Sequence, residues 1–253
     1  MPREVTATGD EATVASQVYG PFLDRALESG ELVVDDELVP LEPVLLAGDW
    51  SRLEESLESK RRDVRTAGWW APNLPREAGG SGAGLVELGL LSEELGRSPC
   101  GHFTFGCHAP DAGNIEILHL HGTAEQKSRW LEPLVAGEIR SCFSMTEVEL
   151  PGSNPVMMDT TAVRDGDHWL INGQKMWTSQ AHYADYVWLA ARTDPDESKK
   201  HKGLTMFLVP TDLPGFSHTP VHTLGVRTNA TYYSDIRLPD KYRVGEVNGG
   251  WKL

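Results

Sequence analysis

The sequence predicts an α+β protein, with an all-helical N-terminal domain over residues 1–140 and an antiparallel, barrel-like β-domain over residues 141–253. Three observations lead there. Apolar residues recur at helical spacing through the first half. From Ser141 onward the chain breaks into short β-rich runs: Thr160–Arg164, Trp169–Ile171, Met176–Ser179, Tyr186–Ala191, Leu204–Val209 and Thr231–Ile236. Between runs stand Asp165-Gly166 and Asn172-Gly173, pairs that favour the positive φ angles of tight hairpin turns.

In chain order, Val14, Val18, Phe22 and Ala26 fall on one helix face. Residues 28–50 are acidic and irregular, with room for a short helix only. Leu53, Leu57, Val64 and Ala67 form a second stripe, and Ser51 and Glu54 have the spacing of a capping box. Leu85, Leu88, Leu91 and Leu95 form a third, closed by Gly96. Ile115 and Leu118 belong to a fourth, stopped at Gly122. Thr123 and Gln126 then open a helix through Trp130, Leu131 and Leu134 to Gly137. Pro195–His201 is a polar loop. The strands do not alternate with helices, which separates this layout from a parallel α/β fold.

The 253 residues suffice for one large or two ordinary domains. With 40% hydrophobic and 24% charged residues the composition is globular. No apolar run approaches the ~20 residues of a membrane-spanning helix, and Met1-Pro2-Arg3-Glu4 opens no signal pattern. Three cysteines, Cys100, Cys107 and Cys142, are too few for a disulfide framework, so a reducing, cytoplasmic location is expected. Net charge is −14, and residues 1–60 hold 14 acidic against 4 basic side chains. Such a surface repels phosphate backbones and anionic membranes, so no nucleic-acid or membrane partner is expected.

Two motifs that look chemical read better as structure. Gly79-Gly80-Ser81-Gly82-Ala83-Gly84 fails the phosphate-loop pattern in every register, since Leu85 and Glu87 stand where glycine is needed and no strand precedes it. It reads as a flexible helix–helix connection. Cys100, His102, Cys107, His108, His119 and His121 lack the paired close spacing of a structural zinc site, so no metal is expected. Cys142 has no sequence-evident base.

The informative segments lie across the domain boundary. Ser141-Cys142-Phe143-Ser144-Met145-Thr146-Glu147 runs into Pro151-Gly152-Ser153-Asn154. Some thirty residues on comes Ile171-Asn172-Gly173-Gln174-Lys175-Met176-Trp177-Thr178-Ser179. Singly, the hydroxyls read as turn formers and Trp177 as a core residue. Together, with the helix start Gly122-Thr123-Ala124-Glu125-Gln126-Lys127, they resemble the acyl-CoA dehydrogenase family. The resemblance runs from about residue 60 to the end. It takes in Glu93-Glu94-Leu95-Gly96-Arg97, Ala109-Pro110-Asp111-Ala112-Gly113-Asn114, and Val244-Gly245-Glu246 to Gly249-Gly250-Trp251.

The resemblance implies FAD as cofactor and an acyl-CoA thioester as substrate. It implies α,β-dehydrogenation to the 2-enoyl-CoA, with an electron-transfer flavoprotein as electron acceptor. Phe143, Met145 and Thr146 would offer main-chain groups and the Thr146 hydroxyl to the flavin, where fixed donors favour the charge that develops on reduction. Gly152 would let backbones approach closely, and Ser153 would face the FAD phosphates and the CoA entrance. Trp177 would cover one flavin face, and Thr178-Ser179 would stand where the family carries Ile-Thr near the hydride-accepting nitrogen. The chain departs from the family at Val148, where proline is usual, and at Asn154, where aspartate is common.

The family also implies a third, helical domain carrying a glutamate base, which is expected outside residues 1–253. Glu147 belongs to the flavin loop and Glu246 to a surface turn, so neither is assigned as the base, and the catalytic residues stay unassigned. A homodimer or tetramer, or a partner subunit, is the expected assembly. Two alternatives remain at this point: a non-catalytic or site-completing partner subunit of a hetero-oligomeric acyl-CoA dehydrogenase, or a flavin-dependent monooxygenase on the same scaffold.

Overall fold

In the computed structural model, residues 31–34, 37–40, 54–96, 100–149, 152–221, 223 and 228–253 are described. The chain forms two compact units, residues 1–112 and 113–253. The apolar stripe from Val14 to Ala26 and the cap at Ser51 lie outside the described residues.

The first unit contains a two-stranded hairpin, β1 (Glu31–Val34) against β2 (Glu37–Pro40), with Leu32 opposite Val39 and Val33 opposite Leu38. This hairpin corrects the all-helical description of the first domain, while the rest of residues 28–50, where a short helix was expected, lies outside the described residues. Val33, Val34 and Val39 are β-branched and stiff at χ1, which favours extended chain over a marginal helix. Helices α1 (Glu54–Thr66), α2 (Leu85–Leu95) and the single turn α3 (Gly101–Thr104) follow. Leu57, Val64, Trp70, Leu74, Leu91, Leu95 and Phe105 are buried. Arg61 is buried among them. Its guanidinium donates to the Phe103 carbonyl at 3.1 Å, reaches the Glu58 carboxylate at 3.1 Å, and lies 4.3 Å from the Phe103 ring centroid. An inward cation is tolerated there because charge, carbonyl and ring face all meet it.

The second unit opens with most of α4 (Asp111–His121) and continues through one helical stretch. Its pieces are α5 (Ala124–Gln126), the π-helical turn Lys127–Leu131, and α6 (Glu132–Ala136). The expected capping box forms: Gln126 N–H donates to Thr123 Oγ1 at 3.2 Å, and Thr123 N–H donates to Gln126 Oε1 at 3.0 Å. Gly137, at φ +72°, ends the stretch.

The sheet follows, with β3 (Ser141–Ser144), β4 (Thr161–Asp165), β5 (His168–Lys175), β6 (Tyr186–Arg192), β7 (Leu204–Pro210), β8 (Phe216–Val221), β9 (Thr228–Pro239) and β10 (Arg243–Val244). The strand order is β10-β7-β6-β4-β5-β9-β8, and β3 also pairs with β6. The barrel-like expectation is corrected: the sheet is open, with β10 and β8 as edges. It is mostly antiparallel, but β3 and β4 both run parallel to β6. Every residue of β6 and β7 is buried. One side holds Trp169, Ile171, Val187, Leu189, Phe207, Val209 and Ile236. On the other, Trp130 of the helical stretch meets Tyr186 of β6 at 4.7 Å between ring centroids. Gln126 fixes this docking by donating to the carbonyls of Lys241 and Arg243 at 2.9 and 2.8 Å.

Of the two expected hairpin turns, the first sits one residue later than the Asp165-Gly166 pair. Asp165 pairs with His168, and Gly166-Asp167 makes the turn with Gly166 at φ +63°. The second is a correction. Asn172-Gly173 lies inside β5, where the register against β9 shifts between Ile171 and Gly173. Gly173 is at φ +155°, and a Cβ there would stand 2.4 Å from Thr160 Oγ1 and 2.7 Å from Thr160 Cα. The extra residue of that bulge is on β9, and the glycine serves a close backbone approach inside a strand, which a dipeptide reading does not distinguish from a turn. Met176–Ser179 is irregular chain after β5 rather than a strand. Gly173→Ala is expected to destabilise the protein by about 2 kcal/mol through overpacking against backbone, read as a lower urea midpoint; an unchanged midpoint would refute the close approach.

Candidate functional site

Two loops and a strand end come together in the second unit. The chain leaves β3 at Ser144, passes Met145-Thr146-Glu147, and returns so that Glu147 N–H donates to the Gly152 carbonyl at 3.0 Å. A Cβ on Gly152 would lie 1.7 Å from the Glu147 carbonyl oxygen, so only glycine closes this loop. The second loop begins where β5 ends. Met176 N–H donates to the Thr146 carbonyl at 2.8 Å, joining the two segments directly.

Beneath that contact lies a buried ion pair. Lys175, with no exposed surface, donates from Nζ to Glu147 Oε1 at 2.8 Å and to the Met145 carbonyl at 2.9 Å. Glu147 Oε1 also accepts Thr160 N–H at 2.8 Å, and Oε2 accepts Asp159 N–H at 2.6 Å. Burial alone would raise the Glu147 carboxyl, but the Lys175 charge and the two backbone N–H groups hold it below the usual range. Burial pushes the Lys175 ammonium down to about 8, against the pull of Glu147.

Trp177 follows at φ +64°, a conformation rare for a bulky residue. Its neighbours impose it. Thr178 N–H donates to the Asn229 carbonyl at 2.9 Å, and Asn229 Nδ2 donates to the Thr178 carbonyl at 3.1 Å. The indole is left 56% exposed, so the core reading of Trp177 does not hold. Thr146 is half-buried, and its hydroxyl has no hydrogen-bond partner among the described residues. Phe143, paired with Trp188 across β3 and β6, is half-buried, as are Met145 and Gly152, while Ser153 is exposed. Ser179 Oγ stands 3.5 Å from Thr228 Oγ1.

Thr178 points inward. Its hydroxyl lies 3.0 Å from that of Ser144 and 3.1 Å from that of Thr231, and Tyr233 OH donates to Ser144 Oγ at 2.8 Å. This buried hydroxyl cluster ties β3, the loop after β5, and β9 together. Burial pushes the Tyr233 hydroxyl above its ordinary range, so it remains a donor.

Sequence reasoning passed over Lys175, Ser144, Asn229, Thr231 and Tyr233. A signal for Lys175 was present: it shares parity with Trp169 and Ile171 along β5, which marks an inward position. An inward lysine calls for a carboxylate. The others lie on β3 and β9, where only three-dimensional pairing reveals them. Elsewhere, burial pushes the Cys100 and Cys107 thiols up to about 12, which leaves them protonated. Among the described residues no group of three or more His, Cys, Asp or Glu side chains converges to hold a metal ion.

The arrangement fits a planar, polar cofactor. An exposed indole and a hydroxyl without a partner flank one backbone contact, and the buried Oδ1 of Asn229 has no hydrogen-bond partner among the described residues.

The lowered Glu147 pKa has a pH consequence. The stability it contributes is fully present above the ordinary carboxylate range and is lost as pH falls through the folded-state value. Glu147→Gln, which strands the buried ammonium, is expected to cost on the order of 3–5 kcal/mol at neutral pH. The deficit should shrink as pH falls below the ordinary carboxylate range and through the lowered folded-state value, where the wild-type carboxylate protonates. Urea denaturation across that range checks it, and a constant deficit would refute the pairing.

The family model described as acyl-CoA dehydrogenase, N-terminal domain, matches residues 33–138, and the acyl-CoA dehydrogenase middle-domain model matches residues 142–237. Acyl-CoA dehydrogenase FadE26 of Mycobacterium tuberculosis is 44% identical over 74% of this chain and 46% of its own. The chain spans about half the length of the curated relatives it matches. Among solved structures, the ChsE4–ChsE5 complex of Mycobacterium tuberculosis matches at 34% identity and a TM-score of 0.72, over 98% of this chain and 59% of that one. The Tcur3481–Tcur3483 steroid ACAD matches at 32% identity and 0.73, over 98% and 60%.

Proposed function

Because the chain belongs to the acyl-CoA dehydrogenase family, we propose that it holds the flavin in an FAD-dependent oxidoreductase acting on an acyl-CoA thioester. The observation that carries this reading is the Met176–Thr146 contact, which sets the two motif segments side by side with Thr146 and Trp177 available. When bound, FAD supplies the hydride acceptor for conversion of the thioester to the 2-enoyl-CoA.

The chain's own residues bind and orient. Phe143, Met145 and Thr146 contribute main-chain groups and one hydroxyl to the ring system, as fixed dipoles that need no reorganisation. The exposed Trp177 indole covers a flavin face and excludes water. Gly152 and Ser153 serve the phosphates, with Ser153 also at the CoA entrance. Ser179 reaches the ring by its hydroxyl, whereas Thr178 acts by anchoring the loop, since its own hydroxyl is committed to Ser144 and Thr231. The functional division is residues 1–140 and 141–253, and the catalytic base lies outside residues 1–253.

Two of the matched structures are named for pairs of proteins. This supports a reading in which a second subunit completes the site, and in which the substrate is a fatty-acyl or steroid-derived CoA thioester. Electrons would pass to an electron-transfer flavoprotein. In the intact protein, Thr146→Ala is expected to weaken FAD binding roughly ten- to hundred-fold, the scale of about 1.5–3 kcal/mol for a hydrogen bond to a charged group, and Trp177→Ala by a similar factor through the lost ring-face contact, about 1–3 kcal/mol. Retained flavin absorbance after desalting checks this. Trp177→Gly, which suits the positive φ, should leave stability within about 1 kcal/mol and still release flavin. Undiminished FAD content in all three variants would refute the assignment.

A further inference from the structure

We propose that Lys175 and Glu147 form a positioning pair for the flavin, holding Thr146 and Trp177 at a fixed separation through the loop that joins them. The inference rests on the flavin reading above.

The hydrogen-bond ladder of β5 does not itself require the pair. Strand β5 is held by β9 along its length, Lys175 included, and by β4 over residues 168–172. A buried ion pair is often no better for stability than apolar side chains of similar volume. Met158 already lies beside the ammonium, with Sδ 3.7 Å from Nζ, so the surroundings would accept an apolar chain. What the pair does uniquely is local. Lys175 takes the Met145 carbonyl and the Glu147 carboxylate from one loop, one residue before Thr146 and one after it. Lys175 is itself two residues before Trp177. Glu147 carries the constraint on to the chain entering β4, through the N–H groups of Asp159 and Thr160. The two candidate flavin contacts are therefore referred to one pair of charges rather than to two independent loops. Each of the pair's bonds is directional and desolvated, which apolar packing would not reproduce.

The test uses the intact protein and three variants, Lys175→Met, Glu147→Gln and the double variant, each titrated with FAD by flavin fluorescence and melted without it. The single variants should lose both stability and FAD affinity. In the double variant no charge is stranded, so the melting temperature should recover toward wild type, while FAD binds at least about tenfold more weakly and its visible circular dichroism changes. A double variant that recovers both stability and FAD affinity would overturn the proposal, because the pair would then be structural only. Should the variants fail to fold, hydrogen exchange on the wild type decides. FAD should slow exchange at the Asp159, Thr160 and Met176 amides, and unchanged rates there would overturn the proposal. Absence of FAD binding to the wild type would instead refute the flavin reading itself.

Discussion

A lysine with no exposed surface sits at the end of β5, and its charge must be met there. The desolvation cost of an unpaired ammonium is several kcal/mol, so the chain around Lys175 is arranged to supply partners. Glu147 supplies the opposite charge, and Met145 supplies a carbonyl. Glu147, itself largely buried, takes the backbone N–H groups of Asp159 and Thr160. The route from β3 to β4 follows from these demands. The loop turns inward to bring Glu147 to the lysine, and closes on Gly152 because nothing larger fits against the Glu147 carbonyl. The chain then enters β4 at the point where the carboxylate needs its donors.

Around this pair the second unit is braced from two directions. The hydroxyl cluster of Ser144, Thr178, Thr231 and Tyr233 fixes β3 and the loop after β5 against β9. On the other face of the sheet, Gln126 and Trp130 bind the helical stretch to the turn before β10 and to β6. That turn is stiffened by Asp240, whose carboxylate accepts from Trp169 Nε1 at 2.7 Å and from Arg243 Nε at 2.9 Å. Arg243 and the Trp169 indole hold the Asp240 carboxyl down at about 2, against the opposing effect of partial burial. Helices from residue 113 onward thus belong with the sheet, although the change from helix to strand comes only at Ser141. Composition marks where the secondary structure changes, and packing decides which unit a helix joins.

The same distinction governs what could be read from the sequence. The Thr123–Gln126 cap, the stripe of α2 and the strands β5, β6, β7 and β9 were legible because each follows from neighbours within a few residues. The β1–β2 hairpin was missed because acidic residues between its valines masked a short extended run. Asn172-Gly173 was misread because a close backbone approach inside a strand and a hairpin turn both call for glycine. The parallel pairing of β3 with β6 joins residues more than forty positions apart and leaves no local trace. Among the candidate site residues, Trp177 and Thr146 were singled out through their motifs. The inward orientation of Thr178 was not, since its partner Thr231 comes from β9.

One position where local rules fail faces outward at the candidate site. Trp177 combines a left-handed backbone with a largely exposed indole, and each alone is unfavourable: the first strains the chain, the second leaves a large apolar surface in water. Nothing in the fold gains from that combination, because the bonds at Met176 and Thr178 on either side are backbone bonds that any residue at 177 would permit. Glycine would relieve the strain and remove the exposed surface together. An unrelieved local conflict, held in place by a satisfied and deeply buried framework, is what a binding position requires. The ion pair and hydroxyl cluster supply the rigidity around Trp177, and Gln180, at φ +69°, repeats the left-handed backbone in the same loop.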